Sequence, residues 1–437
     1  MLFASTRDPD LTATLSEAIR QGIAPDGGLY VPQRLPVFQV ADFDGADTLA
    51  AVAERLLAPF FAGDQLAGQL TGIVNDAFNF PAPLKRLVAA GERVSVLELF
   101  HGPTAAFKDF GARFLAACLE RQSHRAGRPL TILVATSGDT GGAVAAAFHG
   151  RPWARVVVLF PRGLVSPRQQ QQLTCWGGNV RSLAVKGTFD DCQRLVKEAF
   201  SDTRFNEQFE LSSANSINIG RLLPQTVYYA ASSLAIWREE GQAPGFVVPS
   251  GNLGNVVACI WARAMGLPVG PIELAHNANL TVPHYLETGQ WRPRTSVATL
   301  ASAMDVGNPS NMERLESLHP DWRELARQVG AHTVSDEGIR ARIAADSRRL
   351  GETWCPHTAV AAEVYARLPP QLRNERHWVL VATAHPAKFN EIVEPLVGGA
   401  VPVPAALAGL LELPSSFEQI TPDLDALKSA LQDTAGT

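Results

Sequence analysis

Lysine is scarce in this chain. Its 437 residues carry 38 lysines and arginines together, of which only Lys85, Lys108, Lys186, Lys197, Lys388 and Lys428 are lysine. Arginine is the habitual cation, so a lysine at any position is mildly informative. Cysteine is scarce too. Cys118, Cys175, Cys192, Cys259 and Cys355 are odd in number, and no two stand at a CxxC spacing. That argues against a disulfide framework or a zinc knuckle and favours a reducing compartment. The ten histidines are scattered without an HExxH pair, so no metal is expected. There is no long block of like charge, and the net charge is only −5. Neither a nucleic-acid partner nor a membrane-surface partner is supported. Residues 1–10 include Arg7, Asp8 and Asp10 and lack an apolar core, so a secretory signal is not expected there. Residues 395–411 are uncharged, but Pro395, Pro402, Pro404 and three glycines interrupt them, and the stretch is short for a membrane span. The cytoplasm is the expected location.

What is present is material for a large core. Hydrophobic residues make up 46% of the chain and charged residues 19%, and the length suits two large domains or three ordinary ones. Residues 1 to about 80 read as a separate, mainly helical piece. Segments 11–19 and 49–61 have helical apolar spacing, Pro25-Asp26-Gly27-Gly28 is a turn, 29–32 is a short extended segment, and 2–7 could start a strand. From about residue 94 the pattern becomes strand, turn, helix, repeated. Strands are expected at 94–100, 130–135, 155–160, 180–185, 246–248, 272–275 and 378–383. Helices are expected at 108–121, through 148, from 188, from 222, through 265 and from about 387. Several of these strands are uniformly apolar, as in parallel sheets covered on both faces.

Four polar stretches follow strands. The first contains Lys108, in His101-Gly102-Pro103-Thr104-Ala105-Ala106-Phe107-Lys108-Asp109-Phe110. Lys108 opens a helix, where the helix dipole disfavours an ammonium, and it lies between two phenylalanines. A lysine that can shed its proton near neutral pH suits Schiff-base chemistry. The plainer reading is a surface lysine with its stem over apolar neighbours. The second stretch is Thr136-Ser137-Gly138-Asp139-Thr140-Gly141-Gly142. It offers hydroxyls and backbone N–H groups to an anion but has no P-loop lysine; alternatively it is a tight, capped turn. In Ser250-Gly251-Asn252-Leu253-Gly254-Asn255, two glycines and a helix start suit a phosphate, although a lone G-x-x-G is weak. Thr383-Ala384-His385-Pro386-Ala387-Lys388-Phe389 supplies a hydroxyl that could bond a heterocyclic nitrogen, and Lys388, a rival reactive amine. A further run, residues 212–221, mixes amides and hydroxyls with Arg221, which could grip a carboxylate or phosphate. No stretch decides the function alone. Together they match the needs of pyridoxal phosphate: an amine for its aldehyde, dipoles for its phosphate and a partner for its ring nitrogen.

With these motifs in place the chain resembles the threonine synthase family, in the branch with an extra N-terminal domain. Ser213-Ala214-Asn215-Ser216-Ile217-Asn218, Ala303-Met304-Asp305-Val306 and Thr281-Val282-Pro283 add to the likeness, which runs over nearly the whole sequence. The resemblance implies an α/β, fold-type II pyridoxal-phosphate enzyme. Two open α/β domains would hold the cofactor in the cleft between them: a larger one at 86–107 and 220–437, and a smaller one at 108–219. A mainly helical N-terminal domain would occupy 1–85. Lys108 would bind the cofactor aldehyde and act as the catalytic base. Gly251, Asn252, Leu253, Gly254 and Asn255 would hold the cofactor phosphate, and Thr383 the pyridine nitrogen. Ser137, Gly138, Asp139 and Thr140 would embrace the substrate carboxylate, with Asn215, Asn218 and Arg221 toward the substrate phosphate. The family usually has Phe where Leu253 stands and often Asp where Asn255 stands. The first change is an apolar swap, and the second only removes a possible charge near a phosphate. The implied reaction converts O-phospho-L-homoserine and water to L-threonine and phosphate, the last step of threonine biosynthesis. Two alternatives stay open at this point: a phospho-lyase on the same scaffold that releases 2-oxobutyrate, and a non-catalytic ligand-binding relative.

Overall fold

A strand that is apolar at every position must be covered on both faces. The computed structural model of the chain, which describes residues 1–87, 93–123 and 129–432, meets that need with two open sheets. The larger runs in the order Val329–Thr333, Ile272–His276, Gly245–Pro249, Trp378–Ala382, Val94–Glu98, Leu84–Arg86. Neighbours are parallel except for the last pair. Alternate residues of its strands enter different cores. Phe246, Val248, Leu274 and Val379 join one apolar cluster; Val247, Ala275, Trp378 and Leu380 join another. The smaller sheet is wholly parallel, in the order Glu418–Ile420, Val180–Val185, Ala154–Pro161, Leu130–Ala135, Leu211–Ser213. Its two faces divide in the same way, with Ile132 and Val158 on one side and Leu133 and Val157 on the other.

The N-terminal region is helical with a small sheet added. Leu2–Ser5 pairs antiparallel with both Thr12–Thr14 and Tyr30–Pro32. The helix expected from residue 11 starts at Leu15, because Thr14 and Glu17 form a capping box that fixes the first turn there. This helix, Leu49–Phe61 and Leu70–Ala77 pack toward the Lys108–Ser123 helix. Phe61 meets Phe114 edge to face, with ring centroids 6.2 Å apart.

Several expected limits are crossed. Leu84–Arg86, up to residue 85 assigned to the N-terminal domain, is a strand of the larger sheet. Glu418–Ile420, expected in the larger domain, is an edge strand of the smaller sheet. Arg181 holds it there by donating from Nε and Nη2 to the Glu418 carboxylate at 2.7 and 2.6 Å, while Ile420 enters the core with Leu183 and Val185. The expected limit at 437 lies outside the described residues. The helix expected near 387 begins at Asn390, because Pro386–Phe389 forms a 3-10 turn in which the Ala387 N–H donates to His385 Nδ1 at 3.2 Å. The helix expected from Leu222 is two: Ile219–Leu222, then Gln225–Glu240 after Pro224.

Trp378 is fully buried and fills the space left by Gly245, where a Cβ would come within 2.7 Å of its ring. Trp378→Ala is expected to remove about 3–5 kcal/mol of packing. The thermal unfolding midpoint should fall by roughly 5 °C or more, and an unchanged midpoint would contradict this packing.

Candidate active site

The site lies at the C-terminal ends of both parallel sheets, where open α/β folds bind ligands. Strand Val94–Glu98 lies beside Trp378–Ala382, and the pairing continues past both strands. The Leu99 N–H donates to the Ala382 carbonyl at 3.0 Å, Phe107 N–H to the Thr383 carbonyl at 2.8 Å, and His385 N–H to the Ala105 carbonyl at 3.0 Å. To make this turn Ala105 adopts φ 54°, a left-handed conformation that costs a non-glycine residue. The result sets Lys108 and Thr383 on one cleft, whose walls also carry Ser137, Asp139, Thr140, Asn215, Arg221 and the 251–255 turn.

Lys108 opens the Lys108–Ser123 helix, with Nζ 5.7 Å from the Phe107 ring centroid. Burial pushes its amine down to about 8, aided by the charges of Arg221 and Lys388 and opposed by Asp139. The rival amine is differently placed. Lys388 is fully buried and donates to the Thr104 carbonyl at 2.8 Å while pairing with Asp139 Oδ1 at 2.8 Å. It lies behind the cleft wall, committed to two partners.

The turn before Gly254–Ala264 is built for close approach. Leu253 is the N-cap at φ 65°, and a Cβ at Gly251 would come within 2.7 Å of the Met304 Cα. Asn252 Nδ2 donates to Ser216 Oγ at 2.6 Å, and its Oδ1 accepts from the Ser310 N–H at 2.7 Å. The hydroxyls of Tyr228 and Tyr229 both donate to Asn255 Oδ1, at 2.7 and 2.8 Å. The Asn255 amide Nδ2 is left buried with no partner. An orphaned donor beside free helix N–H groups fits a phosphate.

Across the cleft, Thr136 Oγ1 accepts from Gly138 N–H and Gly141 N–H, both at 2.9 Å, so the 136–141 turn is rigid. Gly138 has φ 142°, and a Cβ there would strike the Gln169 amide at 2.4 Å. The turn starts helix Asp139–Phe148. Burial would raise the Asp139 carboxyl, but Lys388 and then Lys108 outweigh it and hold it below the usual range.

The 212–221 run divides. Asn215 lines the cleft; its amide donates to the Ala135 carbonyl at 2.9 Å, and its Oδ1 is buried without a partner. Arg221 also lines it, bonded to the Ala214 carbonyl, with Nε unpartnered; burial lowers its guanidinium to about 10. Asn218 is not on the cleft wall. Its amide donates to the carbonyls of Ile19 and Ser213 at 2.9 and 2.8 Å, and its Oδ1 accepts from Gly220 N–H at 2.9 Å. Every part of that side chain is spent on joining the N-terminal helix to the loop.

Two functional neighbours were not found by reading the sequence. His357 lines the cleft, and its Nε2 accepts from the Ala303 N–H at 3.1 Å. Burial lowers it to about 4, so the ring is neutral. Arg314 is fully buried and donates to the Tyr30 carbonyl at 3.1 Å, to Ser216 and Ile217 carbonyls at 3.2 and 2.6 Å, and to Asn311 Oδ1 at 2.6 Å. Asn311 in turn donates to the Asn252 carbonyl at 2.9 Å. The N-terminal domain thus braces the 251–255 turn. A histidine after Cys355-Pro356 and an arginine in an amphipathic helix carry no local motif.

An amine of lowered basicity, an orphaned donor at a helix start and a cleft between two open α/β sheets define a pyridoxal-phosphate-dependent enzyme of fold type II. The profile described as "Pyridoxal-phosphate dependent enzyme" matches residues 78–384, flanked by "Threonine synthase N terminus" at 2–78 and "Threonine synthase, C-terminal" at 358–431. Threonine synthase of Serratia marcescens is 41% identical over 95% of both chains. That of Escherichia coli K12 is 40% identical over 99% of this chain and all of its own. The E. coli threonine synthase crystal structure superposes with a TM-score of 0.89 over 99% of this chain and 100% of that chain, at 39% identity. The pyridoxal-phosphate-bound enzyme from Brucella melitensis gives 0.90 over 100% of both chains at 34% identity. The chain belongs to the threonine synthase family, and its cofactor is pyridoxal phosphate.

Two outcomes follow from this geometry. With an amine at about 8, about a tenth of Lys108 is unprotonated at pH 7, against roughly 0.03% for an ordinary lysine. Cofactor uptake by the apoprotein should therefore accelerate as pH rises and level off just above 8; a rate still climbing steeply past pH 10 would contradict the lowered basicity. Arg314→Met should loosen the brace on Asn252 and weaken cofactor retention at least tenfold, measured by absorbance after dialysis. Undiminished retention would show that the brace is immaterial to the turn.

Proposed function

We propose that this chain converts O-phospho-L-homoserine and water to L-threonine and phosphate, in the cytoplasm and without a nucleic-acid or membrane partner. Among the described residues no helix is long and apolar enough to cross a membrane, and all five cysteines are free and buried. The observation that carries the reading is Lys108: the cleft holds one lysine of lowered basicity, while Lys388 is tied up behind the wall.

In this reading Gly251, Asn252, Leu253, Gly254 and Asn255 hold the cofactor phosphate through backbone N–H groups and the Asn255 amide. Thr383 offers its hydroxyl to the ring nitrogen, a neutral partner. The bound cofactor supplies an electron sink for charge developed on the substrate carbons. Lys108, once displaced from the cofactor by the substrate amine, has a free amine close to neutral basicity and moves the α- and β-protons. Ser137, the Gly138 and Asp139 backbone and Thr140 receive the substrate carboxylate at the start of helix Asp139–Phe148. Arg221 and Asn215 face the other end of the substrate. There the buried guanidinium meets the leaving phosphate in a site of low dielectric, where its charge is worth most. Asn218 is withdrawn from direct binding: it shapes the loop that presents Asn215 and Arg221. Neutral His357 holds the Ala303 N–H and keeps the 303–306 segment against Gly251.

The test is a product assay with O-phospho-L-homoserine. Threonine and phosphate should form in equal amounts; 2-oxobutyrate as the main product would make the enzyme a phospho-lyase instead. Lys108→Ala should lower kcat at least about 1,000-fold, and a variant retaining turnover would remove Lys108 from the mechanism.

A further inference from the structure

Asp139 poses a problem that the proposed substrate chemistry does not solve. Its carboxylate lies in the turn proposed to receive the substrate carboxylate, it lines the cleft, and it is only 4% exposed. Two carboxylates side by side away from water repel strongly. Lys388 answers this geometry. Its ammonium is fully buried and reaches Asp139 Oδ1 at 2.8 Å from behind the wall. Gln169 Nε2 donates to the same oxygen at 3.1 Å. The lysine is itself fixed by the Thr104 carbonyl, which also accepts from Gln172 Nε2 at 3.0 Å.

The surroundings leave Lys388 this one task. Asp109, the other buried carboxylate near it, is occupied by the Thr104 N–H at 2.9 Å and the Thr104 hydroxyl at 2.6 Å. Lys108, Cys355, His357 and His385 are the remaining titratable groups coupled to the pair. The pair also spans the fold. Lys388 follows a strand of the larger sheet, Asp139 a strand of the smaller, and the Ser166 hydroxyl donates to the Lys388 carbonyl at 3.3 Å beside it. A buried ion pair is a poor source of stability, because apolar residues of similar volume serve as well. Its placement beside a proposed anion site is better explained by binding.

We propose that Lys388 is a positioning residue that neutralises Asp139 and so lets the turn at 137–140 accept an anionic amino-acid carboxylate. This rests on the reading of that turn as the carboxylate site. Lys388 never contacts the substrate; it acts through Asp139.

The experiment uses holoenzyme and two probes of equal shape and different charge, L-threonine and L-threonine amide, titrated by the change in cofactor absorbance at about pH 8.5, where a carboxylate is ionised. Two variants are made. Lys388→Met removes the charge, and Lys388→Gln also removes it while keeping hydrogen-bond donors for the Thr104 carbonyl and Asp139. If Lys388→Met does not fold, Lys388→Gln decides. Affinity for L-threonine should fall at least tenfold, with affinity for the amide staying within twofold of wild type. Equal losses for both probes would mean a merely structural lysine and would overturn the proposal, as would no loss for either. Failure of the underlying reading looks different: Ser137→Ala and Thr140→Ala would then leave the affinity of otherwise wild-type enzyme for L-threonine unchanged.

Discussion

The site depends on one stretch of backbone pairing. Val94–Glu98 lies parallel to Trp378–Ala382, and the pairing carries on through Leu99, Ala105 and Phe107 on one side and Thr383 and His385 on the other. Those bonds fix where the Lys108 helix begins. They also bring Thr104 and Lys388, 284 positions apart in sequence, within hydrogen-bond distance. The strain at Ala105, with φ 54°, is tolerated because bonds on both sides over-determine it. A one-residue slip in this register would move the start of the Lys108 helix relative to Thr383.

Partners then separate buried residues of the same type. Lys108 and Lys388 lie in neighbouring segments, yet one is an amine of lowered basicity facing the cleft and the other a paired cation behind it. The buried arginines follow the same logic. Arg314 bonds carbonyls and an amide and braces the 251–255 turn, whereas Arg221 keeps Nε unspent. Asn255, a neutral residue, keeps a donor free for the proposed phosphate. Two tyrosine hydroxyls take its oxygen, so its amide hydrogens face a space with no protein acceptor. An aspartate at that place would have offered no donor.

Much of this was legible in the sequence because it is local. Mainly apolar strands such as Leu130–Ala135 and Val180–Val185 stand where expected, and the capping of the Phe189–Ser201 helix by Thr188 and Asp191 follows from neighbours in the chain. The four turns that line the cleft were readable for the same reason: each is a short polar run after an apolar strand. What was not legible is set by distant partners. Glu418–Ile420 looks like loop until Arg181 and the Val180–Val185 edge claim it. Asn218 carries the same chemistry as Asn215, and only Ile19 in the N-terminal helix shows that its amide is already used. His357 and Arg314 have no motif because their roles come from the elements that fold over them.

In the proposed mechanism Lys108, and not Lys388, is the amine that holds the cofactor. Borohydride reduction of the holoenzyme followed by peptide mass mapping tests this most directly. The pyridoxyl mass is expected on the peptide containing Lys108, with Lys388 unmodified. The label on Lys388, or on any lysine outside the cleft, would contradict it.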